Sequence, residues 1–184
     1  VSIQVAAREL RYAWFEELRE ERNCKVIAVA QHMNDSVETV LFNLSRGTGL
    51  QGLQGILPKR DDSKVVRPIL FLQSKEIAEL VVKHAIPFRD DSSNFSNKYA
   101  RNKIRLDIIP ELEKLNPDVI SIMDDNIQRF RDSQDVLTSF ISRLRCDILL
   151  PRDTDSWRML KSELVKLSLN ELYFILEPYG FKKN

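Results

Sequence analysis

Val26-Ile27-Ala28-Val29-Ala30 has the length and β-branched content of one strand, and it passes without interruption into Gln31-His32-Met33-Asn34-Asp35-Ser36-Val37-Glu38-Thr39. From Asn34 to Arg46 the apolar positions Val37, Val40, Leu41 and Leu44 recur at helical spacing. A strand over Lys25–Ala30 feeding a helix over Asn34–Arg46 is the repeating unit of an open α/β sheet. Ligands of such sheets bind outside the carboxyl ends of the strands, so His32, Asp35 and Glu38 stand where chemistry is expected. At about 100° per residue, Asp35, Glu38, Phe42 and Ser45 lie roughly opposite the apolar stripe, which predicts an outward-facing edge for both carboxylates.

The rest of the chain divides around this unit. Val1–Arg22 reads as a helix with Leu10, Trp14 and Leu18 every four residues, and since Val1 is not a start methionine the chain reads as an excised piece. Four of the five glycines fall in Arg46-Gly47-Thr48-Gly49-Leu50-Gln51-Gly52-Leu53-Gln54-Gly55. That stretch lacks the Gly-Lys-Ser/Thr of a phosphate loop and the dinucleotide-binding spacing, and by itself reads as a structural loop. Val65–Leu70 reads as extended, Ser74–His84 as a helix with Ile77, Leu80 and Val81 inward, Asp90–Asn94 as a polar loop, and Tyr99–Leu106 as the start of another helix. Asn116-Pro117-Asp118 is a helix start, and Met123, Ile127, Phe130, Leu137, Ile141 and Leu144 continue one apolar seam to Arg145. From Pro151 the composition changes, and Leu160–Leu176 reads as the opening of a small helical unit. The expected organisation is a nucleotide-binding part at residues 1–115, a connector helix at 116–150 and the start of a helical domain at 151–184.

Composition narrows the partners. With 28 Lys and Arg against 27 Asp and Glu, the net charge is +1, so affinity for nucleic acid must come from local segregation of charge. Such segregation is present: Lys98, Arg101, Lys103 and Arg105 occur without an acid, and Asp107–Asp125 is dominated by acids. The two cysteines, Cys24 and Cys146, have neither metal-ligand nor disulfide-scaffold spacing, which suits a reducing cytoplasm and structural roles. No apolar run approaches a membrane span and no signal peptide is evident, so a soluble, cytoplasmic protein without a membrane partner is expected.

Spacing alone leaves the His32-Asp35-Glu38 trio open between a metal site, a magnesium and phosphate site, and a solvated helix edge with a capping aspartate. Zinc is disfavoured because the chain has only two histidines and His84 lies on another helix, which leaves carboxylates for magnesium or proton transfer. Arg101 and Arg105 share one helical face and could grip phosphates, although surface arginines at that spacing are commonly solvated. Neither a Ser-His-Asp nor a Cys-His arrangement is evident, and aromatics do not interleave with the basic residues as base stacking requires.

Five motifs occur here in linked order: Gln31–Thr39, Arg46–Leu50 with Gly52 and Gly55, Arg67-Pro68-Ile69-Leu70, Asp91-Ser92-Ser93-Asn94, and Arg101-Asn102-Lys103-Ile104-Arg105. Together with Ala6–Tyr12 they resemble the bacterial tRNA(Ile)-lysidine synthase family over Val1 to about Val136, and the final segment is similar to the start of that family's first C-terminal domain. The resemblance implies part of a Rossmann-like, adenine nucleotide alpha hydrolase-like parallel sheet, followed by the connector helix and a truncated helical subdomain. It implies an N-type ATP pyrophosphatase that adenylates carbon 2 of the wobble cytidine of tRNA(Ile) with a CAU anticodon, after which free L-lysine displaces AMP. ATP and Mg²⁺ are the implied cofactors; oligomeric state stays open, a homodimer included. By the same resemblance, His32, Asp35, Glu38 and Arg105 would be catalytic, with Asp35 and Glu38 holding Mg²⁺ or orienting the reacting groups. Arg8, Arg11, Arg46, Gly47, Gly49, Arg101 and Asn102 would line the nucleotide site. This chain departs from the family in having Gln31-His32 in place of a His-His pair and Asn34-Asp35 in place of Asp-Asp. The family's Ser-Gly-Gly-x-Asp-Ser loop, which grips pyrophosphate, is not in these 184 residues, so the chain alone is expected to bind ATP poorly and to be inactive. A tRNA-thiolating relative and a non-catalytic RNA-binding module of the same fold are the alternatives.

Overall fold

A computed structural model of the chain describes residues 3–59, 64–89, 100–153, 156–159, 161–179 and 181. Its contacts divide into two compact units, Val1–Arg129 and Phe130–Asn184.

In the first unit, helix α1 (Ile3–Glu21) ends where Asn23 takes a left-handed backbone conformation, φ 51°. The Asn23 amide then donates to the Glu20 carbonyl and the Cys24 amide to the Arg19 carbonyl, the paired closure of a Schellman motif. Strand β1 (Ile27–Ala28) follows and pairs in parallel with β2 (Val65–Val66), Ile27 opposite Val65 and Ala28 opposite Val66. Strand pairing is therefore shorter than the Lys25–Ala30 and Val65–Leu70 segments suggested. Pro68 has no amide to extend the ladder, and the chain turns at once through Leu70 N–H to Arg67 O and Leu72 N–H to Ile69 O. Ala28 is exposed, so the pair is half-open rather than buried on both faces.

Helix α2 (Met33–Arg46) leaves β1 as expected, with Val37 and Val40 buried. Its far end closes at Gly47, and the short helix α3 (Leu50–Leu53) follows. Helix α4 (Ser74–Lys83) precedes α5 (Ala100–Lys103), which widens into a π-helical turn over Ile104–Ile108 before α6 (Ile109–Leu115). The widening has a local cause. Pro110 cannot donate to the carbonyl four residues back and its ring would press on it, so the ladder is carried by Ile109 N–H to Ile104 O instead. Ile104 and Ile109, five apart, thereby both reach the core with Val37, Val40, Ile120 and Ile127.

Helix α7 (Val119–Ile148) begins beside Asn116, whose side chain accepts the Asp118 amide at 3.0 Å. The two units meet in sequence within α7, so the seam read as a connector supplies Ile120 and Ile127 to one core and Ile141 and Ile148 to another. In the second unit, β3 (Leu149–Asp153) and β4 (Ser156–Met159) form an antiparallel hairpin, where only helix was anticipated. Helices α8 (Lys161–Leu164) and α9 (Leu169–Leu176) complete it, and Ile175 packs with Ile141, Ile148 and Leu149. Arg145 donates to the Phe174 and Ile175 carbonyls, where the end of α9 leaves acceptors unmet. Among the described residues no helix is long and apolar enough to cross a membrane.

Candidate active site

His32 closes the extended segment after β1 and caps α2. Its backbone amide donates to Asp35 Oδ2 at 3.0 Å, so Asp35 satisfies an otherwise unpaired donor and sets its negative charge at the positive end of the helix. The His32 ring places Nε2 3.6 Å from the same carboxylate oxygen, and its Nδ1 is buried with no hydrogen-bond partner among the described residues.

Glu38 lies one turn further along α2 and is 1% exposed. The expected outward-facing edge is therefore corrected: α5 and the π-helical turn cover it. Arg101 Nε donates to Glu38 Oε2 at 3.1 Å, Arg105 Nε to Oε1 at 2.6 Å, and Arg105 Nη2 to Oε2 at 3.0 Å. Arg105 Nη2 also reaches Asp35 Oδ1 at 3.1 Å, and Arg101 Nη2 reaches the Asp35 carbonyl at 3.1 Å and Thr39 Oγ1 at 3.3 Å. Two guanidinium and two carboxylate groups thus form one network in which the formal charges cancel. A buried carboxylate is tolerable only when paired and hydrogen-bonded in this way. The Glu38 hydrogen bond and the attraction of both acids raise the Arg105 pKa above its ordinary value, against the opposing effect of burial. The Arg101 and Arg105 side chains remain 40% and 36% exposed, so each presents an open face besides the one spent on the acids.

This arrangement bears on the metal expectation. Three N–H donors occupy Glu38, Asp35 is shared between Arg105 and the His32 amide, and no cluster of three or more His, Cys, Asp or Glu suited to a metal occurs among the described residues. A divalent cation held jointly by Asp35 and Glu38 does not fit here, because two guanidinium charges already stand against the pair.

The remaining sequence candidates, Asn102 apart, lie elsewhere. Arg46 is the last residue of α2, about 20 Å along the helix from His32 at 1.5 Å per residue, and Gly47 and Gly49 come after it. Arg46 stacks over Phe42 at 5.2 Å, Gly47 closes α2 at φ 77°, and Gly49 opens α3. Arg8 and Arg11 are exposed on α1, Arg8 lying over the Tyr12 ring at 5.5 Å. Asn102 sits half-buried between the two arginines. Asp91–Asn94, Lys98 and Tyr99 lie outside the described residues. Cys24 and Cys146 are exposed free thiols.

Three supporting residues were not singled out from sequence. Ser36 is buried and its Oγ accepts the Ile56 amide at 3.0 Å, drawing the glycine-rich segment onto the first turns of α2. Asn34 Oδ1 accepts the Ser74 amide at the start of α4, at 2.9 Å. Arg67 is buried between Gln31 and the Leu57 carbonyl. A lone charge inside the apolar run Val65–Leu70 was the available signal for Arg67; for a serine inside a helix there was none.

A family model described as a PP-loop domain matches residues 1–112. The chain is 39% identical to a curated tRNA(Ile)-lysidine synthase of Bacteroides thetaiotaomicron over 181 residues, 98% of this chain and 41% of that protein. It is 36% identical to the one of Parabacteroides distasonis over 185 residues, 100% of this chain and 41% of that protein. The chain thus spans about two fifths of the length of these relatives. Among solved structures, a U34-tRNA thiolase from Methanococcus maripaludis with its 4Fe-4S cluster superposes with a TM-score of 0.55 at 18% identity, covering 70% of this chain and 44% of that one, a likeness of fold.

Proposed function

The chain belongs to the PP-loop domain family, and from that footing we propose that it is part of a tRNA-modifying ligase, which joins lysine to carbon 2 of the wobble cytidine of tRNA(Ile) bearing a CAU anticodon. The observation that carries this reading is identity of 36–39% to curated tRNA(Ile)-lysidine synthases across essentially the whole chain. ATP, the tRNA and free L-lysine are the proposed reactants, with AMP and pyrophosphate released. The pyrophosphate-gripping Ser-Gly-Gly-x-Asp-Ser sequence is not among these residues, so the 184-residue chain alone is proposed to be inactive.

The network supports specific roles. Adenylation builds negative charge on phosphate oxygens, and a guanidinium stabilises that charge most when it is already in place and partly shielded from water. Glu38 holds Arg101 and Arg105 so that their open faces need little reorganisation when a phosphate arrives. Asp35, at 15% side-chain exposure, is the acid of the pair accessible to a reacting group, and it orients that group while anchoring the turn at His32. His32 is proposed to lie beside the nucleotide, its ring standing 3.6 Å from the Asp35 carboxylate. Magnesium is expected to accompany the nucleotide phosphates; no step here is assigned to it.

The thiolase-like fold keeps tRNA thiolation as the second reading. Incubating the full-length protein containing this chain with ATP and tRNA(Ile), in the presence of labelled lysine or of a labelled sulfur donor, separates the two. Lysine label in the tRNA supports the ligase, and sulfur label without lysine overturns it.

A further inference from the structure

We propose that Arg67 is a positioning residue for this site and that it acts through the side chain of Gln31. Glu38 and Arg67 are the buried charged side chains among the described residues, and Arg67 is only 6% exposed. Glu38 belongs to the network already described; Arg67 has partners on other segments. Its Nε donates to Gln31 Oε1, its Nη1 to the Leu57 carbonyl at 2.6 Å, and its backbone amide to the Pro58 carbonyl at 2.9 Å.

Each of these partners leads back to the site. Gln31 immediately precedes His32, so the amide oxygen that Arg67 holds is one peptide from the capping residue of α2. Leu57 and Pro58 follow Ile56, whose amide donates to Ser36 Oγ at 3.0 Å, and Ser36 lies between Asp35 and Glu38. Arg67 therefore restrains the entry to the turn at Gln31 and the segment bonded to that turn at Ser36.

The chemistry explains why an arginine is spent here. A buried guanidinium is costly unless its N–H groups are met, but its planar fork can bind two separate backbone or amide oxygens at fixed geometry, which lysine cannot do. Gln31 needs only an acceptor oxygen for this part. The role requires that loss of the Gln31 acceptor loosen the His32 turn without removing any group that touches a reactant.

This inference rests on the ligase reading for its activity measurement, and a second measurement is independent of that reading. Gln31→Met removes the acceptor at similar size, and Gln31→Glu retains one. In the full-length protein containing this chain, Gln31→Met is expected to lower the turnover number for lysine incorporation about 10- to 100-fold. KM for tRNA should change little, and Gln31→Glu should recover most of the loss. In the same proteins, hydrogen exchange of the His32–Ser36 amides should accelerate about tenfold or more in Gln31→Met and in Arg67→Met, with exchange around Ile127 unchanged. If Arg67→Met does not fold, Gln31→Met decides alone. Unchanged exchange at His32–Ser36 overturns the clamp whatever the turnover, and faster exchange with wild-type turnover overturns its role in positioning. Should the wild-type protein incorporate no lysine, the ligase reading falls and the exchange measurement still judges the clamp.

Discussion

Arg105 meets Glu38 edge to edge: Nε lies 2.6 Å from Oε1 and Nη2 lies 3.0 Å from Oε2, so one planar fork holds both oxygens of a carboxylate that is 1% exposed. Arg101 adds a third N–H from one helical turn earlier. The two arginines are thus partly redundant in compensating Glu38 but occupy different positions around it.

That redundancy predicts an unequal mutant series. Arg105→Met leaves Glu38 still paired with Arg101, so the loss in unfolding free energy should stay below the ~3–5 kcal/mol of an orphaned buried charge. The Arg101→Met, Arg105→Met double variant should reach that range. Arg105→Lys should not restore the wild type, because an ammonium cannot span both oxygens. Urea unfolding measures all three, and equal stability of the single and double variants would contradict the network.

The glycines of the segment after α2 should respond unequally to alanine. At Gly55, φ 62°, a Cβ would run into the buried Ser36 Oγ and lie 3.3 Å from Ile127, whereas at Gly49 nothing stands within 4 Å. Gly55→Ala is expected to cost about 1–3 kcal/mol by overpacking, with left-handed strain in addition, and Gly49→Ala less than about 1 kcal/mol. Melting temperatures of the two variants check the difference.

The pH response has two parts of opposite sign. The Arg105 pKa is raised, so its stabilisation is complete below the ordinary arginine value and fades only as pH rises through the higher folded value. That window lies far above neutrality, and Arg105 should contribute no pH dependence near pH 7. Glu171 at the start of α9 is lowered from 4.5, first by the Ser168 hydroxyl and then by the Ser168 backbone amide. Its contribution is present above that value and is lost as pH falls through the lowered one. Amide exchange at Leu169–Glu171 should therefore accelerate, relative to the rest of α9, as pH falls below the ordinary 4.5, and Glu171→Gln should abolish the change.

Much of this fold was readable from local pattern. The β1–α2 unit, the long α7 and the Asn116 helix start each rest on contiguous signals: a β-branched run, a 3.6-residue repeat, and a capping residue before a proline. The pairing of Arg101 and Arg105 with Asp35 and Glu38 was not readable, since the residues lie more than 60 positions apart and helical periodicity assigned the acids to solvent. A helix edge that is polar in sequence can still be buried when another helix brings the matching charge to it. The β3–β4 hairpin escaped for a different reason, because Pro151 and the charged residues around it hide a strand pattern. The π-helical turn before Pro110 shifts the apolar phase from Ile108 to Ile109, a change that a fixed 100° step does not anticipate.

The acid beside His32 is proposed to serve the reaction and not merely the fold, and Asp35→Asn separates these roles because asparagine keeps an oxygen for the His32 amide. The measurement is labelled-lysine incorporation into tRNA(Ile) with a CAU anticodon, by the full-length protein containing this chain and by its Asp35→Asn form. The expected result is a loss of about 100-fold or more in rate, with stability within about 1 kcal/mol of wild type. A folded Asp35→Asn protein that incorporates lysine at the wild-type rate would contradict the account.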